Sequence, residues 1–572
     1  MTEQPPSALL PTTLVAALSA LAATPVLLTA SAPPVVTALQ ELWTGAVAGM
    51  VMLFWGTRAW SDAPPQVAAF ETERERSSPG PLLLILTGVI AGLLSAFISL
   101  AQVIAPDSLQ GSWGTWIQPS HMDGRAAGHL RQPNHLATVL LWGAAAWAAL
   151  HAHRRLGALS AWAGMAVLMA AVVASASRTG LLGIGMLCLW GLADRRLPAA
   201  VRLALMATPL LAAASWLALD FCLLLDQREL GATARMVNAA DSDLSSARFA
   251  IWRNTWELIQ QQPWFGVGWS GFNTAWTLTP MPDRPGEYFT HPHSLPLQLI
   301  VELGVPLGLT ACLLLLCTLV VAARRAWAAS TEDAFVAGAA GAAGVAGAAG
   351  AAYGCDDATL RRGALVMLGI VGLHSLLEYP LWYAYLGMPT ALACVVCLGW
   401  DRPWRRASRW QAALLLSGGL ALLVCTAWAY SHYRLISRIY APGPQAAPLA
   451  QRIEDGQRAL WFADQAHYAK ATTFRPTPGQ AWDAATARAF DRAPRVLLDA
   501  RLMMAWADAL AARNGPGDRD KARHLVQRLR EFKAPGAQAW LLACEDEHAP
   551  SHRRFVCEPP ERNWNWRDFE RH

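Results

Sequence analysis

About eleven stretches of this chain are apolar for long enough to cross a lipid bilayer, near residues 8–30, 36–57, 80–105, 134–151, 157–176, 179–193, 199–225, 295–322, 364–380, 381–400 and 410–430. A spanning helix needs roughly 20 mostly apolar residues, because the hydrocarbon core offers no water to backbone N–H and C=O groups and each segment must satisfy its own. So many such runs exclude an ordinary soluble domain. Composition points the same way, with 54% of the 572 residues hydrophobic, 15% charged and 27 Trp. The expected fold is an all-α polytopic membrane protein, a bundle of about 11–12 transmembrane helices.

The character of the chain changes after about residue 432. The tail is rich in Asp, Glu and Arg and contains the lysines Lys470, Lys521 and Lys533. Two domains are expected: 1–432 in the membrane, including a large loop at 226–293, and a soluble helical domain at 433–572. Within the tail, QRIEDGQRALWFADQ, AWDAATARAFDRA, RVLLDARLMMAWADALAARN and DKARHLVQRLREF read as amphipathic helices, resembling tetratricopeptide-like hairpins without a clean 34-residue period. They would dock an acceptor or cap the membrane domain. The opening MTEQPPSALLPTT lacks a basic n-region, so the first apolar run is expected to stay as a span. Cys394 and Cys397 have redox spacing but sit inside an apolar run, which favours packing. Cys544 and Cys557 would pair if the tail faces an oxidising compartment. The net charge of +5 is spread along the chain and carries no nucleic-acid signature.

Arginine clusters set the orientation. Arg154 and Arg155, Arg195 and Arg196, Arg324 and Arg325, Arg361 and Arg362, and Arg402, Arg405 and Arg406 follow alternate runs, so those loops are expected on the cytoplasmic side. Loops 106–133, 174–179 and 226–293, and the tail, then face outward. Residues 336–354, VAGAAGAAGVAGAAGAAYG, are expected to form a non-crossing insertion, since Ala and Gly drive insertion weakly. In the long loop, Phe249, Trp252, Trp256 and Ile259 repeat at helical spacing and suit an amphipathic helix at the headgroup boundary or packed on the bundle.

Polar residues at span ends carry the functional signal. Arg125, Arg131, Arg178 and Arg248 lie next to span ends on the outer side, where the positive-inside rule gives no reason for them. Arg178, in AVVASASRTGLLGIGML, has almost no loop around it, and an arginine at membrane depth costs roughly 2.5–3.5 kcal/mol. Snorkelling or a carboxylate such as Glu302 or Glu378 would compensate one of them; several on one side suit a shared anion, whose phosphate oxygens match the guanidinium fork. His129, His135, His291, His293 and His374 map to the same side, and an imidazole titrating near about 6.5 can take a proton from a hydroxyl. Chemistry on a lipid-linked phosphate follows. His291 and His293 alone do not make a metal site, since side chains two apart rarely converge on one ion.

RAAGHLRQPNHLATVLL (125–141), SRTG (177–180), THPHS (290–294) and HSLLEYPLWYAYL (374–386) together resemble the bacterial protein O-oligosaccharyltransferases of the PglL type, in the O-antigen ligase superfamily. The resemblance runs in order from about residue 80 to 400. It implies a GT-C-like enzyme of the bacterial inner membrane, its active site facing the periplasm, that moves a glycan en bloc from undecaprenyl pyrophosphate to Ser or Thr of an exported protein such as pilin. No metal or other cofactor is implied. By the same resemblance His293 is the base or acceptor-orienting group, Arg178 and Arg248 grip the pyrophosphate, and Gln132, Asn134, His135, Glu378 and Tyr379 occupy signature positions. Arg125, Arg131 and His291 join them as candidate substrate-binding residues. The family has Asn after the second histidine, where this chain has Ser294.

Two other readings remain at this stage. An O-antigen ligase would use the same chemistry on a lipid A core sugar, with a polysaccharide polymerase as a weaker version. A lipid-linked glycan flippase would place polar groups near the midplane and show internal repeats, which are not evident here.

Overall fold

The computed structural model describes residues 12–61, 79–110, 112–122, 124–154, 156–241, 244–281, 284–342, 348–399, 409–542 and 558–570. Among these the secondary structure is helical and contains no strand. The helices begin with α1 (Thr12–Leu27), α2 (Ala38–Ser61), α3 (Pro79–Ile104), α4 (Pro133–Arg154), α5 (Ala158–Ala174) and α6 (Arg178–Ala193). There follow α7 (Ala199–Met206), α8 (Thr208–Leu225), α9 (Gly231–Asp241), α10 (Leu244–Gln261), α11 (Phe272–Leu278) and α12 (Leu295–Ala342). Next come α13 (Ala348–Leu377), α14 (Ala384–Leu398), α15 (Arg409–Tyr440), α16 (Leu449–Gln457) and α17 (Ala463–Thr473). The last are α18 (Ala484–Arg492), α19 (Ala500–Arg513), α20 (Asp518–Phe532), α21 (Gln538–Leu542) and α22 (Trp566–Glu570).

Among the described residues six segments are long and apolar enough to cross a membrane: Gly80–Ile104, Pro133–Arg154, Thr208–Leu225, Leu295–Ala328, Ala358–Leu377 and Arg409–Tyr440. The shorter apolar helices Thr13–Leu27, Ala158–Ala174, Arg178–Ala193 and Ala384–Leu398 accompany them. The chain is therefore an all-α, multi-span membrane protein. Helix α2 covers the run expected at 36–57 but carries Gln40, Glu41 and Arg58 and is not among the six. The run expected at 199–225 is divided in two between Met206 and Thr208, where Pro209 sits in the first turn of α8 and supplies no N–H to a continuing helix.

The helices gather into two compact units, one of Met1–Ser31, Thr37–Ser242 and Leu315–Ala427, the other of Ala32–Val36, Asp243–Leu314 and Trp428–His572. In the first, α4 is the central element and packs on α3, α5, α6 and α13. Its Ala- and Gly-rich middle lets neighbours approach closely, as packing inside lipid requires. The α3–α4 crossing is set by Gly92 and Gly143: a Cβ on Gly92 would lie 2.5 Å from the Gly143 Cα.

Arg361 and Arg362, expected in a loop, lie instead inside α13 and are buried. Arg362 Nε is 2.6 Å from Asp194 Oδ2 in a buried ion pair, and the Arg361 guanidinium donates to the Val396 carbonyl, so the helix continues through both. Through the Arg362–Asp194 pair they lie at the same end of the bundle as the turn that carries Arg195 and Arg196. Residues 336–342 close α12 and 348–354 open α13, with 343–347 outside the described residues. Cys544 and Cys557, expected to pair, also lie outside them.

The main core of the second unit is built from the long loop and the tail together. Trp276, Phe272 and Leu278 of α11 are buried with Phe490, Trp506, Leu525, Leu529 and Phe532 from the tail helices. Leu498 N–H donates to Asn273 Oδ1 at 2.6 Å, and His524 Nε2 donates to the Leu278 carbonyl at 2.8 Å. Arg284 lies 2.8 Å from Glu531 and stacks 3.9 Å above the Phe532 ring. Burial pulls its pKa down to about 10 despite the Glu531 partner. The membrane-domain boundary expected at 432 falls within the continuous helix α15.

Candidate active site

The sequence QPNH is the start of a helix. Gln132 precedes α4, Pro133 takes the first helical position where a missing N–H costs nothing, and Gln132 Oε1 accepts from Asn134 N–H at 2.5 Å and His135 N–H at 3.0 Å. With its backbone capped, the helix presents Asn134 and His135 on its first turn. Asn134 Nδ2 donates to Glu378 Oε1 at 2.7 Å, and Gln132 Nε2 donates to Glu378 Oε2 at 3.2 Å. Glu378 thus sits just past the end of α13 and against the N-terminus of α4, the end of a helix that favours a negative charge.

The same network reaches α6. Ser177 is its N-cap, accepting from Gly180 N–H at 3.1 Å while its own hydroxyl donates to Asn134 Oδ1 at 2.6 Å. Arg178 is then the first residue of α6, half-buried, and its guanidinium forms no hydrogen bond or ion pair among the described residues. The start of α14 joins through His135 Nδ1 and the Tyr385 hydroxyl, 2.8 Å apart, and there Ala384 N–H donates to Glu41 Oε2 at 2.5 Å. Three helix N-termini are linked in this way. Glu378 answers the charge of α4 and Glu41 that of α14, whereas the first turn of α6 has no acidic residue and carries an arginine.

Other predicted residues fall around this centre. Tyr379 follows Glu378, its hydroxyl 3.5 Å from that of Tyr383, and the Tyr383 ring meets His135 edge-on at 4.4 Å. Arg125 directs Nε and Nη2 to the Ser175 carbonyl at 3.4 Å, and Arg235 gives Nη1 to the Ala176 carbonyl at 3.1 Å, so two arginines brace the turn that leads into Arg178. Burial, with Arg235 alongside, lowers the Arg125 pKa to about 10. Arg131 turns away: Nε reaches Gln118 Oε1 at 3.0 Å and Nη2 the Thr29 carbonyl at 3.0 Å, which ties loops together. His129 does likewise through Nδ1 and the Leu27 carbonyl, 2.7 Å apart, with its pKa lowered by burial.

His135, His374 and Glu378 are buried and offer ligand atoms that all lie within 4.8 Å of one another, a spacing able to hold a metal ion. The hydrogen bonds present also suit a metal-free network: Thr138 Oγ1 lies 2.8 Å from His374 Nδ1, and both Glu378 oxygens already take amide hydrogens.

His291, His293 and Arg248 belong to the second unit. The two imidazoles lie 4.3 Å apart, and Phe289 meets His293 edge-on at 5.4 Å. His293 adopts a left-handed backbone (φ 52°), a conformation that costs a non-glycine residue about 1–3 kcal/mol and is held only where surroundings dictate it. Here Trp252 Nε1 donates to the Pro292 carbonyl at 3.0 Å and Asn273 Nδ2 to the Phe289 carbonyl at 3.0 Å. Arg248 lies one turn before Trp252 on α10, half-buried, with no hydrogen bond or ion pair among the described residues. Of the four residues expected on the apolar face of α10, Ile259 is buried and Trp252 partly so, with Ile251 and Leu258 beside them, while Phe249 and Trp256 are exposed.

Ser177 and Tyr385 lie within the quoted motifs SRTG and HSLLEYPLWYAYL without a role assigned to them, and Glu41 and Arg235 are not singled out by sequence at all. Ser177 had a signal, since a serine directly before an apolar run is a cap; Glu41 had one too, as an acidic residue at a span end.

Three family profiles match the chain: one described as O-Antigen ligase over residues 163–312, one as Virulence factor membrane-bound polymerase, C-terminal, over 363–540, and one as Protein glycosylation ligase over 126–151. The chain is similar to a general O-oligosaccharyltransferase of Acinetobacter baylyi, 25% identical over 292 residues. That match covers 48% of this chain and 45% of the relative, so the chain spans less than half of the curated relative it matches. No solved structure matches it. The last-named profile falls on the capped start of α4, and the first spans the α6 helix, the long loop and the two histidines, so the chain is similar over these segments to O-antigen ligases and to protein glycosylation ligases of the PglL type.

Proposed function

We propose that this protein transfers a preassembled glycan from undecaprenyl pyrophosphate to a Ser or Thr hydroxyl of an exported protein such as pilin, at the periplasmic face of the inner membrane. The observation that carries this reading is the start of α6, a helix N-terminus whose arginine is unpaired among the described residues and whose first turn holds no carboxylate. A site that gathers positive charge and leaves it unanswered suits an anion supplied from outside. Diphosphate is such an anion, and the guanidinium fork of Arg178 matches its oxygens. Arg248, equally without a partner among the described residues, has the same role.

In the step itself the acceptor hydroxyl oxygen attacks the anomeric carbon. The bond from that carbon to the carrier oxygen breaks with its electron pair going to the diphosphate, and His293 takes the hydroxyl proton. Arginines that neutralise the departing oxygens stabilise the charge that develops, usually the dominant contribution to such catalysis. One displacement inverts the anomeric configuration and requires neither metal nor cofactor. Glu378, held by Gln132 and Asn134, fixes the α4 start and, through Asn134 and Ser177, the α6 start; Tyr379 and His291 are assigned to substrate binding, and Arg125 and Arg131 hold loops in place.

The match to a profile described as O-Antigen ligase favours a second reading, with lipid A core as acceptor. Purified protein given undecaprenyl-pyrophosphate glycan together with pilin and lipid A core separates the two. Glycosylated pilin is expected; glycosylated core alone would reassign the acceptor, and carrier translocation with neither product would reject transfer.

A further inference from the structure

Helix α12 is broken at Gly304 (φ 81°), two residues before Pro306. A break there leaves two carbonyls without helical partners. Val301 O would accept from Val305 N–H, which instead donates to the Pro263 carbonyl at 2.7 Å, and Glu302 O would accept from residue 306, a proline without an N–H. The turn between α10 and α11 supplies both missing donors: Val267 N–H reaches Val301 O at 2.8 Å and Gly268 N–H reaches Glu302 O at 3.1 Å. The fit is backbone against backbone. A Cβ on Gly304 would lie 2.3 Å from the Trp264 carbonyl, and one on Gly266 would lie 2.4 Å from the Glu302 carbonyl.

Val267 anchors this turn in the core, yet its aromatic residues point outward: Trp264 is 71% exposed, Phe265 82% and Trp269 62%. Each would lose roughly 1.5–3 kcal/mol of burial energy if water were its neighbour. Water is not what the adjoining surface meets. The turn is fastened at Gly304, and from there the Leu295–Ala328 span continues with Leu307, Leu309, Leu313 and Leu314 exposed, the face that a spanning helix turns to lipid. The three aromatics continue that face at its end, where Trp is favoured at the boundary of headgroups and acyl chains.

We propose that the 263–269 turn is a lipid-inserted wedge, with Trp264, Phe265 and Trp269 seated at the headgroup–acyl boundary of one leaflet, while its backbone completes the broken helix. The occupant of this aromatic surface is bilayer phospholipid. The wedge pins the loop that carries His291 and His293 at a fixed depth, and it stands whether or not the transferase reading does.

The test replaces Phe265, and separately Trp269, with p-benzoylphenylalanine in the full chain in nanodiscs of phosphatidylethanolamine and phosphatidylglycerol. Glu561, whose side chain is 80% exposed in the tail, is replaced likewise as control. Irradiation followed by mass spectrometry is expected to give phospholipid adducts at 265 and 269 and none above background at 561. Adducts to a second copy of the chain, adducts to an added acceptor protein, or no adduct at either position would overturn the proposal. Both substituted side chains project from the turn without entering the core, and a thermal unfolding profile matching the parent establishes that each variant is folded.

Discussion

An arginine in the first turn of a helix faces the positive end of the backbone dipole, which costs about 0.3–1 kcal/mol. Arg178 is in that position with its guanidinium unpaired among the described residues. If its purpose is to hold an anion, Arg178→Ala should leave the melting temperature unchanged or slightly raised while transfer falls by about 10²-fold or more. Loss of activity together with a large loss of stability would make it a structural residue. Glu378 differs, because two amides and the α4 N-terminus depend on it. Glu378→Ala should lower both stability, by about 1–3 kcal/mol, and transfer, read by thermal unfolding and glycan transfer to acceptor. Charged and titratable residues at span ends are conspicuous, so Arg178, His135 and Glu378 are legible in sequence, whereas Asn134 is reached only through the family resemblance. What they touch was not. Gln132 becomes a cap only once α4 is known to begin at Pro133, and Arg125 and Arg131 spend their donors on carbonyls whose positions no residue pattern encodes.

At the scale of elements, most apolar runs became helices near their expected limits, because length and hydropathy suffice to define a span. Two exceptions have a local cause: Pro209 divides one run, and the Asp194 carboxylate lets Arg362 remain inside a helix. The break in α12 depends on Gly304, and Gly304→Ala would impose about 1–2 kcal/mol of left-handed strain and drive a methyl into the Trp264 carbonyl. A clear drop in melting temperature is expected, with an unchanged value counting against the described clamp. In the second unit, burial depresses the pKa of His524 to about 4. An unfolded histidine titrates near about 6.5, so between these values the unfolded chain binds the extra proton. Stability from this group is complete above about pH 6.5 and is lost as pH falls toward about 4, an effect of roughly 3 kcal/mol. The melting temperature should fall across that window in the parent protein, and His524→Gln should flatten the fall; parallel profiles would remove His524 as the cause.

For the molecule as a whole, the fold class followed from sequence because a bilayer permits few architectures. The pairing of the long loop with the tail did not. Its core residues, among them Trp276, Phe490 and Phe532, are far apart in the chain, and their patterning shows an apolar face without naming its partner. The cluster of His135, His374 and Glu378 poses a question at this scale, since its spacing admits a metal while its hydrogen bonds suit a metal-free network. Transfer should survive exhaustive chelation; activity lost to chelator and restored by a divalent ion would assign that cluster to a metal. The most direct test of the central claim uses purified protein in liposomes with undecaprenyl-pyrophosphate glycan and pilin, the product resolved by intact mass. The parent protein is expected to add one whole glycan to a Ser or Thr, and His293→Ala and Arg178→Ala, folded and inserted, are expected to add none. Glycosylation by both variants at the parent rate would contradict the account.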